Sequence, residues 1–192
     1  MIIEFYKYQG TGNDFIMIDD RENTFDSNDQ ELVAALCERR MGIGADGLIL
    51  LRKHDKLDFE MIYFNSDGKL SSMCGNGGRC IVAFAKMLDI ITNETNFMAI
   101  DGAHKAKIAQ DGIYLQMQEV TKIEGVGGGI VLDTGSPHYI EMVDSLDNLD
   151  VEKEGRKIRN SAPFKKEGIN VNFVLDAADL EVRTYERGVE GE

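Results

Sequence analysis

The sequence predicts an α+β fold in two domains, residues 1–117 and 118–192. Short apolar runs typical of strands alternate with segments whose apolar residues recur at helical spacing. Glycine-rich loops join these segments, and such loops let backbone approach a ligand from several sides. The composition shifts near residue 118, ahead of the glycine-dense stretch 125–129, which we expect to be a flexible break, so we place the domain boundary just before it. With 192 residues and 43% hydrophobic content, the chain can bury a core.

The net charge and the cysteines restrict the class of function. A net charge of −13 argues against nucleic acid and anionic membranes as partners. No apolar run approaches the length of a membrane span, and the N-terminal residues lack the pattern of a signal peptide. The three cysteines are sparse and odd in number, which favours a reducing cytoplasm over a disulfide framework. No Cys, His or carboxylate group has metal-ligand spacing, so we expect no metal site.

The first half begins with a predicted strand, loop and strand. Residues 2–8 alternate as in a strand, and residues 15–19 form a second one. Residues 9–14 are polar and glycine-rich, which on this segment alone favours a hairpin loop over a ligand loop. Candidate N-cap residues at 27–29 precede a predicted helix over 31–40.

The rest of the chain alternates strands with polar loops. A glycine-dense loop at 41–47 leads into a predicted strand over 48–51. Residues 133–139 read as a loop of ligand-facing residue types, and residues 147–159 as a solvated helix or loop. The other predicted strands are 59–64, 97–100, 103–109, 113–117, 130–133, 168–174 and 180–186. The last two of these strands are expected to pair with each other.

Cys74 lies in the stretch M-C-G-N-G-G, directly before an apolar helical segment. The spacing predicts a helix that begins near Gly77 or Gly78, with Cys74 just ahead of its N-terminus. Unpaired N–H groups and the helix dipole there would lower the pKa of a thiol, which is about 8.5 when unperturbed, and could hold a carboxylate. The same residues also suit a glycine-rich turn with a buried cysteine, and spacing alone favours neither. Cys37 and Cys80 lie at helical positions and are expected to be structural.

Polar and glycine-rich motifs recur along the whole chain. They are G-T-G-N-D-F at 10–15, R-R-M-G-I-G-A-D-G at 39–47, F-N-S-D-G at 64–68, M-C-G-N-G-G-R-C at 73–80, G-S-P-H at 135–138, G-I-N-V-N-F at 168–173 and E-R-G-V-E-G-E at 186–192. Together these motifs resemble the diaminopimelate epimerase family of cofactor-independent amino-acid racemases. Asn76 in the C-G-N-G loop favours this branch, because proline racemase-like relatives carry His at that position.

The resemblance implies two similar α/β domains, each a mixed sheet wrapped around a central helix, with substrate in the cleft between them. It implies interconversion of LL- and meso-diaminopimelate, for lysine and peptidoglycan precursor synthesis. One cysteine thiolate removes the α-proton and a second thiol protonates the opposite face, because inversion of a planar carbanion needs groups on both faces. This chemistry requires neither pyridoxal phosphate nor metal, so we expect no cofactor. The resemblance also implies a small amino-acid substrate and, for a complete family member, a homodimer.

The resemblance assigns roles to particular residues. Cys74 is one acid–base group, while His138 and Glu186 tune the cysteines. Gly47 stands where some relatives have Gln, and Ser136 where many have Asn, so the contacts of these two residues stay open. The expected substrate-contacting residues are Asn13, Asn65, Gly75, Asn76, Asn170, Glu186 and Arg187.

The family pattern continues with a second C-G-T-G loop that the sequence does not contain. An internal repeat with an offset of 123 residues, from Gly12-Asn13 to Gly135-Ser136, places the counterpart of Cys74 beyond Glu192. We therefore expect a C-terminally truncated epimerase with an incomplete second domain, itself inactive. The alternatives are a related racemase of the same fold and an inactive amino-acid-binding fragment. A nucleotide-binding protein is disfavoured because no P-loop or dinucleotide-binding pattern is present.

Overall fold

The computed structural model describes residues 2–192 and divides into two compact units, Met1–Met117 and Gln118–Glu192. Three helices and twelve strands were found among these residues, and no helix there is long and apolar enough to span a membrane. In chain order the elements are β1 (Tyr6–Gly10), β2 (Asn13–Asp19), α1 (Gln30–Cys37), β3 (Gly47–Arg52), β4 (Phe59–Asn65), α2 (Gly75–Met87), β5 (Glu94–Ala99), β6 (Gly102–Ile108), β7 (Ile113–Leu115), β8 (Ile123–Val126), β9 (Gly129–Asp133), β10 (Pro137–Met142), α3 (Val151–Arg159), β11 (Asn170–Asp176) and β12 (Leu180–Tyr185).

The first unit is a mixed seven-stranded sheet with its strands in sequence order, β1 to β7. Strands β2 and β3 pair in parallel, as do β4 and β5, and the other neighbours are antiparallel. Helix α2 contacts the edge strands β1 and β7 as well as strands between them. The sheet therefore curls around α2, which confirms the predicted fold class.

Helix α2 is the centre of the larger core. Its apolar positions Ile81, Phe84 and Ala85 are fully buried against the sheet. A Cβ atom on Gly77 would lie 2.9 Å from the Ile49 side chain, so the glycine lets the first turn approach the sheet. The helix begins at Gly75, earlier than the sequence predicted, because the N-cap is Cys74 itself.

Helix α1 packs on the opposite face of the sheet, where Val33 and Cys37 join a second core cluster. Its N-cap is Asp29, whose carboxylate accepts the N–H of Leu32 at 2.9 Å. The helix ends at Cys37, so the prediction of a helix to residue 40 is wrong at this end. After it, the Glu38 carboxylate accepts the N–H of Arg40 at 2.8 Å, and this turn closes the helix.

The second unit is a five-stranded sheet in the order β12-β11-β10-β9-β8. Helix α3 contacts β11 and β12, and Val151, Val171, Phe173 and Tyr185 form the centre of the core on that side. A Cβ atom on Gly155 would lie 2.4 Å from that of Tyr185, so only glycine permits this close helix–strand contact. The predicted pairing of the last two strands is confirmed as antiparallel β11 and β12.

Strands β9 to β12 repeat the arrangement of β1 to β4. In each set the first pair is antiparallel, the second is parallel and the third is antiparallel, and a helix joins the second and third strands. Helix α2 covers the face of the first sheet that carries Phe15 and Met17. The equivalent face of the second sheet carries His138, Ile140 and the half-exposed Val182, while helix α3 of the same unit packs on the other face.

Three further predictions are wrong, one strand boundary and two assignments of irregular structure. The first strand is Tyr6–Gly10 rather than residues 2–8, because its register is set by pairing with β2. Residues 125–129 are not a flexible break but part of the β8–β9 hairpin, whose turn has Gly127 in the left-handed region at φ 60°. Most of the predicted loop at 133–139 is strand, since β10 takes a central place in the sheet.

Candidate active site

The thiol of Cys74 caps the N-terminus of α2. Its backbone is extended, at φ −120° and ψ 118°, and its Sγ atom accepts the N–H of Gly77 at 3.5 Å. On its other side, Sγ lies 3.9 Å from Oδ1 of Asn13 and can donate its proton there. The sulfur thus has both a donor and an acceptor beside it.

The other two cysteines are core residues. Cys37 and Cys80 are 3% and 4% exposed, whereas Cys74 is partly exposed, and none of the three forms a disulfide. Burial raises the pKa of Cys37 to about 11. Burial, and then the neighbouring Cys74, raise the pKa of Cys80 to about 11. At neutral pH both buried sulfurs are therefore protonated.

Asn76 ties the β1–β2 turn to the first turn of α2. Its Oδ1 atom accepts hydrogen bonds from Thr11 Oγ1 at 3.0 Å and from Arg79 Nη2 at 2.6 Å. Thr11 and Gly12 have φ values of 53° and 88°, as a two-residue hairpin turn of type I′ requires. This conformation is unfavourable for a β-branched residue, so the bond to Asn76 supports a strained threonine. The predicted hairpin loop is a tight turn held against the helix.

Asn13 lies at the edge of an ion network. Its Nδ2 atom donates to Oδ2 of Asp46 at 3.1 Å. Arg39 Nη2 lies 2.7 Å from Oδ1 of Asp14 and 2.7 Å from Oδ1 of Asp46. Burial opposes the ionisation of Asp14, but hydrogen bonds from Arg39 and Lys7 outweigh burial and lower its pKa. Hydrogen bonds to both carboxylates raise the pKa of Arg39. The network therefore consists of charged groups.

Gly47 and Asn65 face each other across β3 and β4. A Cβ atom on Gly47 would lie 2.5 Å from the Phe64 carbonyl oxygen and 2.5 Å from the ring of Tyr63. Tyr63 thus fills the space that a side chain at position 47 would need, which gives a structural reason for glycine there. Gly75 differs, since a Cβ atom on it would meet nothing closer than 3.8 Å.

His138 in β10 is oriented by Asn172 in β11. The Nδ2 atom of Asn172 lies 3.1 Å from His138 Nδ1 and 3.1 Å from the Tyr139 carbonyl oxygen, while its Oδ1 accepts the Thr184 hydroxyl at 3.0 Å. An amide nitrogen only donates, so His138 Nδ1 accepts and the neutral ring carries its proton on Nε2. Burial lowers the pKa of His138, which favours this neutral form.

Ser136, Asn170 and Arg187 form one hydrogen-bonded group in the second unit. Asn170 Nδ2 and Arg187 Nη2 donate to Ser136 Oγ at 3.1 and 3.3 Å, and the Arg187 N–H donates to Asn170 Oδ1 at 2.9 Å. The neighbouring Glu186 N–H is bonded to the Gly191 carbonyl oxygen at 2.8 Å. Ser136, left open by the sequence, is thus 8% exposed and part of the group.

The structure gathers the predicted residues into one cluster in each unit. Sequence reasoning missed Asp46, which contacts Asn13, and Asn172, which contacts His138. Both are polar residues inside motifs of the resemblance, at 39–47 and 168–173, and no role was assigned to either. In the first unit the gathered residues are Asn13, Cys74, Gly75 and Asn76, with Asn65 at the end of β4. In the second unit they are His138, Asn170, Glu186 and Arg187.

The fold and the relatives define an enzyme of the epimerase and racemase class. A family model described as diaminopimelate epimerase matches residues 5–123. A diaminopimelate epimerase from Flavobacterium psychrophilum is 53% identical over 193 residues, which cover 99% of this chain and 75% of the relative. The corresponding protein from Aquifex aeolicus is 39% identical over 211 residues and is 76% covered. The chain belongs to the diaminopimelate epimerase family.

Solved structures agree on the fold at much lower sequence identity. The crystal structure of a phenazine biosynthesis protein of the PhzF family from Bacillus anthracis superposes with a TM-score of 0.69 at 13% identity. The match covers 98% of this chain and 73% of that structure. At this identity the likeness establishes the fold alone.

Proposed function

We propose that the active site to which this chain contributes interconverts LL- and meso-2,6-diaminopimelate by proton transfer at the α-carbon, with Cys74 as one of two acid–base groups. The observation that carries the proposal is the position of Cys74 Sγ at the N-cap of α2, 3.5 Å from the N–H nitrogen of Gly77. A donor at the sulfur stabilises the thiolate, which is the form that can remove a proton. The names of the relatives support the choice of substrate.

The N-terminus of α2 is proposed to hold the substrate carboxylate beside the reacting carbon. The first N–H groups of a helix have no partner within the helix, and together with the dipole they favour an anion. We assign this contact to the N–H groups of Gly75 and Asn76. The same groups would stabilise the negative charge that develops as the α-proton leaves.

The cluster of the second unit is proposed to contact other polar groups of the substrate. Arg187 supplies a guanidinium suited to a carboxylate, and Asn170 holds the Arg187 backbone through a 2.9 Å hydrogen bond. Asn13 and Asn65 are assigned to substrate contact in the first unit. His138 and Glu186 are assigned to tuning the thiol groups, with His138 neutral.

The mechanism has two acid–base groups. Removal and return of a proton on the same face restores the starting isomer, so inversion needs a second group on the opposite face. The family pattern implies a second cysteine for that role. We further propose that the reaction uses neither pyridoxal phosphate nor metal, serves lysine and peptidoglycan precursor synthesis in the cytoplasm, and is carried out by a homodimer.

The test is to incubate the 192-residue chain with LL-diaminopimelate in deuterated water and to follow both α-deuterium and stereochemistry. Cys37 and Cys80 are buried, so the 192 residues supply one accessible thiol, Cys74. One group can remove and return a proton on one face only, so we expect this chain to show deuterium uptake without inversion. Cys74→Ala should abolish the uptake. Formation of the meso isomer that depends on Cys74 would contradict the two-thiol mechanism. Uptake that Cys74→Ala leaves unchanged would remove Cys74 from it.

Substrate comparison separates this proposal from the related racemases. Proline and hydroxyproline are assayed under the same conditions, with Cys74→Ala as the control in each case. Exchange with diaminopimelate and not with the cyclic substrates supports the proposal. Exchange with a cyclic substrate alone would instead assign the chain to a related racemase of the same fold. Binding without exchange would support an amino-acid-binding fragment.

A further inference from the structure

The Asn13 side chain lies between two chemically different neighbours. Its Oδ1 atom is 3.9 Å from Cys74 Sγ, and its Nδ2 atom is 3.1 Å from Oδ2 of Asp46. Asn13 is 7% exposed, so water does not readily replace either contact. A half-turn of the amide would exchange its oxygen and nitrogen, and each neighbour would then meet the other atom.

Asp46 determines which way the amide faces. An ionised carboxylate only accepts hydrogen bonds, and Arg39 Nη2 lies 2.7 Å from Asp46 Oδ1. The Asp14 backbone N–H also donates to Asp46 Oδ2 at 3.1 Å. Turning the amide would place the oxygen of Asn13 against a carboxylate oxygen within a mostly buried site, which is unfavourable. The NH₂ group of Asn13 must therefore face Asp46.

This orientation decides which atom of the Asn13 amide faces the sulfur of Cys74. With its oxygen towards the sulfur, Asn13 can accept the proton of the thiol but cannot donate to the thiolate. Hydrogen bonding to the neutral form of a group disfavours its charged form. The Gly77 N–H, 3.5 Å from the sulfur, acts in the opposite sense. The two contacts together support both protonation states, as a reversible proton transfer requires.

We propose that Asp46 is a positioning residue that fixes the Asn13 amide with its oxygen towards Cys74, and so sets the pH at which Cys74 loses its proton. The proposal rests on the proposed function in that Cys74 is the reacting thiol. Its test requires no substrate, because the protonation of Cys74 is measured directly. A failed epimerisation assay would therefore leave the test of Asp46 unaffected.

The experiment compares Asp46→Asn with Asp14→Asn. Each change replaces a carboxylate with an amide of the same shape and removes one negative charge from the network around Arg39, but only Asp46 contacts the Asn13 side chain. The rate of Cys74 alkylation by iodoacetamide is measured against pH by peptide mapping. Its midpoint is the pH at which half of the Cys74 thiol is deprotonated. The ¹³Cβ chemical shift of Cys74 gives the same midpoint without a reagent.

An amide at position 46 can present its oxygen or its NH₂ group, so Asn13 becomes free to turn and donate to the thiolate. We expect the midpoint of Asp46→Asn to fall by about one pH unit more than that of Asp14→Asn. Equal shifts in the two variants would overturn the proposal, because they would reflect loss of charge alone.

The route through Asn13 is tested in a second background. In Asn13→Ala, the further change Asp46→Asn should move the midpoint no more than Asp14→Asn does. A larger shift that persists without the Asn13 amide would also overturn the proposal. Thermal melts establish that each variant is folded, and Asp46→Ala replaces Asp46→Asn if the latter is not. Asn13→Ala alone should lower the midpoint, and an unchanged midpoint would show that the amide oxygen does not hold the thiol proton.

Discussion

The Sγ atom of Cys74 lies 3.5 Å from the backbone nitrogen of Gly77, in the position that a serine or aspartate oxygen usually takes at a helix N-cap. The thiol is therefore part of the local structure that starts α2 and at the same time the most accessible of the three cysteine thiols. One contact links the stability of the first helical turn to the chemistry of the site.

Cys74 should be the most reactive thiol of the folded chain. Burial raises the pKa of both Cys37 and Cys80 to about 11, so at pH 7 their thiolate fractions are very small. Iodoacetamide at neutral pH, followed by peptide mapping, should modify Cys74 at least about a hundredfold faster than either. Faster modification of Cys37 or Cys80 in the folded protein would remove the basis for assigning Cys74 as the base.

Proton exchange at the α-carbon should not depend on a metal or on a carbonyl cofactor. The proposed mechanism assigns the proton transfer to a thiol, and neither a chelator nor a carbonyl reagent blocks that group. Treatment with EDTA or with hydroxylamine should leave the Cys74-dependent exchange rate unchanged. A loss that is restored by adding a divalent metal or pyridoxal phosphate would contradict the mechanism.

His138 should make the protein more stable as pH rises through the weakly acidic range. Burial lowers its pKa in the folded state, so between that value and about 6.5 the unfolded chain binds more protons than the folded one. The free energy of unfolding therefore rises with pH across this window and is lost as pH falls through it. Urea unfolding at several pH values gives the free energy of unfolding as a function of pH, and this free energy should rise less steeply with pH in His138→Gln. The same slope in both proteins would contradict the prediction.

Replacing Gly47 should cost more stability than replacing Gly75. A Cβ atom at position 47 would lie 2.5 Å from the Phe64 carbonyl oxygen, whereas at position 75 the nearest atom is 3.8 Å away. We expect Gly47→Ala to lower the free energy of unfolding by about 1–3 kcal/mol. Gly75→Ala is the matched control and should be neutral or stabilising by about 0.5–1 kcal/mol, because alanine favours a helix. Urea unfolding measures both, and equal costs would be inconsistent with the packing described.

Features decided within a few residues could be predicted from the sequence. The apolar spacing after Cys74 predicted α2, and the Ser-Asn-Asp sequence at 27–29 predicted the start of α1, since capping and helical periodicity are local properties. The resemblance added the arrangement of a sheet wrapped around a helix, which the first unit confirms. The offset of 123 residues predicted a repeat, and β9 to β12 reproduce the pairing of β1 to β4.

Features that depend on pairing between distant segments could not. Periodicity alone did not identify β8 or β10, because glycine-rich turns and ligand-type residues hide the alternation of a strand that pairing stabilises. The end of α1 was set by Glu38 folding back on the following turn. Neither the two strands nor the end of this helix can be predicted from a short stretch of sequence considered by itself.

The orientation of the site side chains was decided by the tertiary structure alone. Asn13 and Asp46 are 33 residues apart, as His138 and Asn172 are 34 apart. Each pair forms only when two strands align in parallel register, β2 with β3 and β10 with β11. The sequence supplied the thiol, the amides and the histidine. Which atom each of them turns towards its neighbour depends on hydrogen-bonding partners that the chain brings together only on folding.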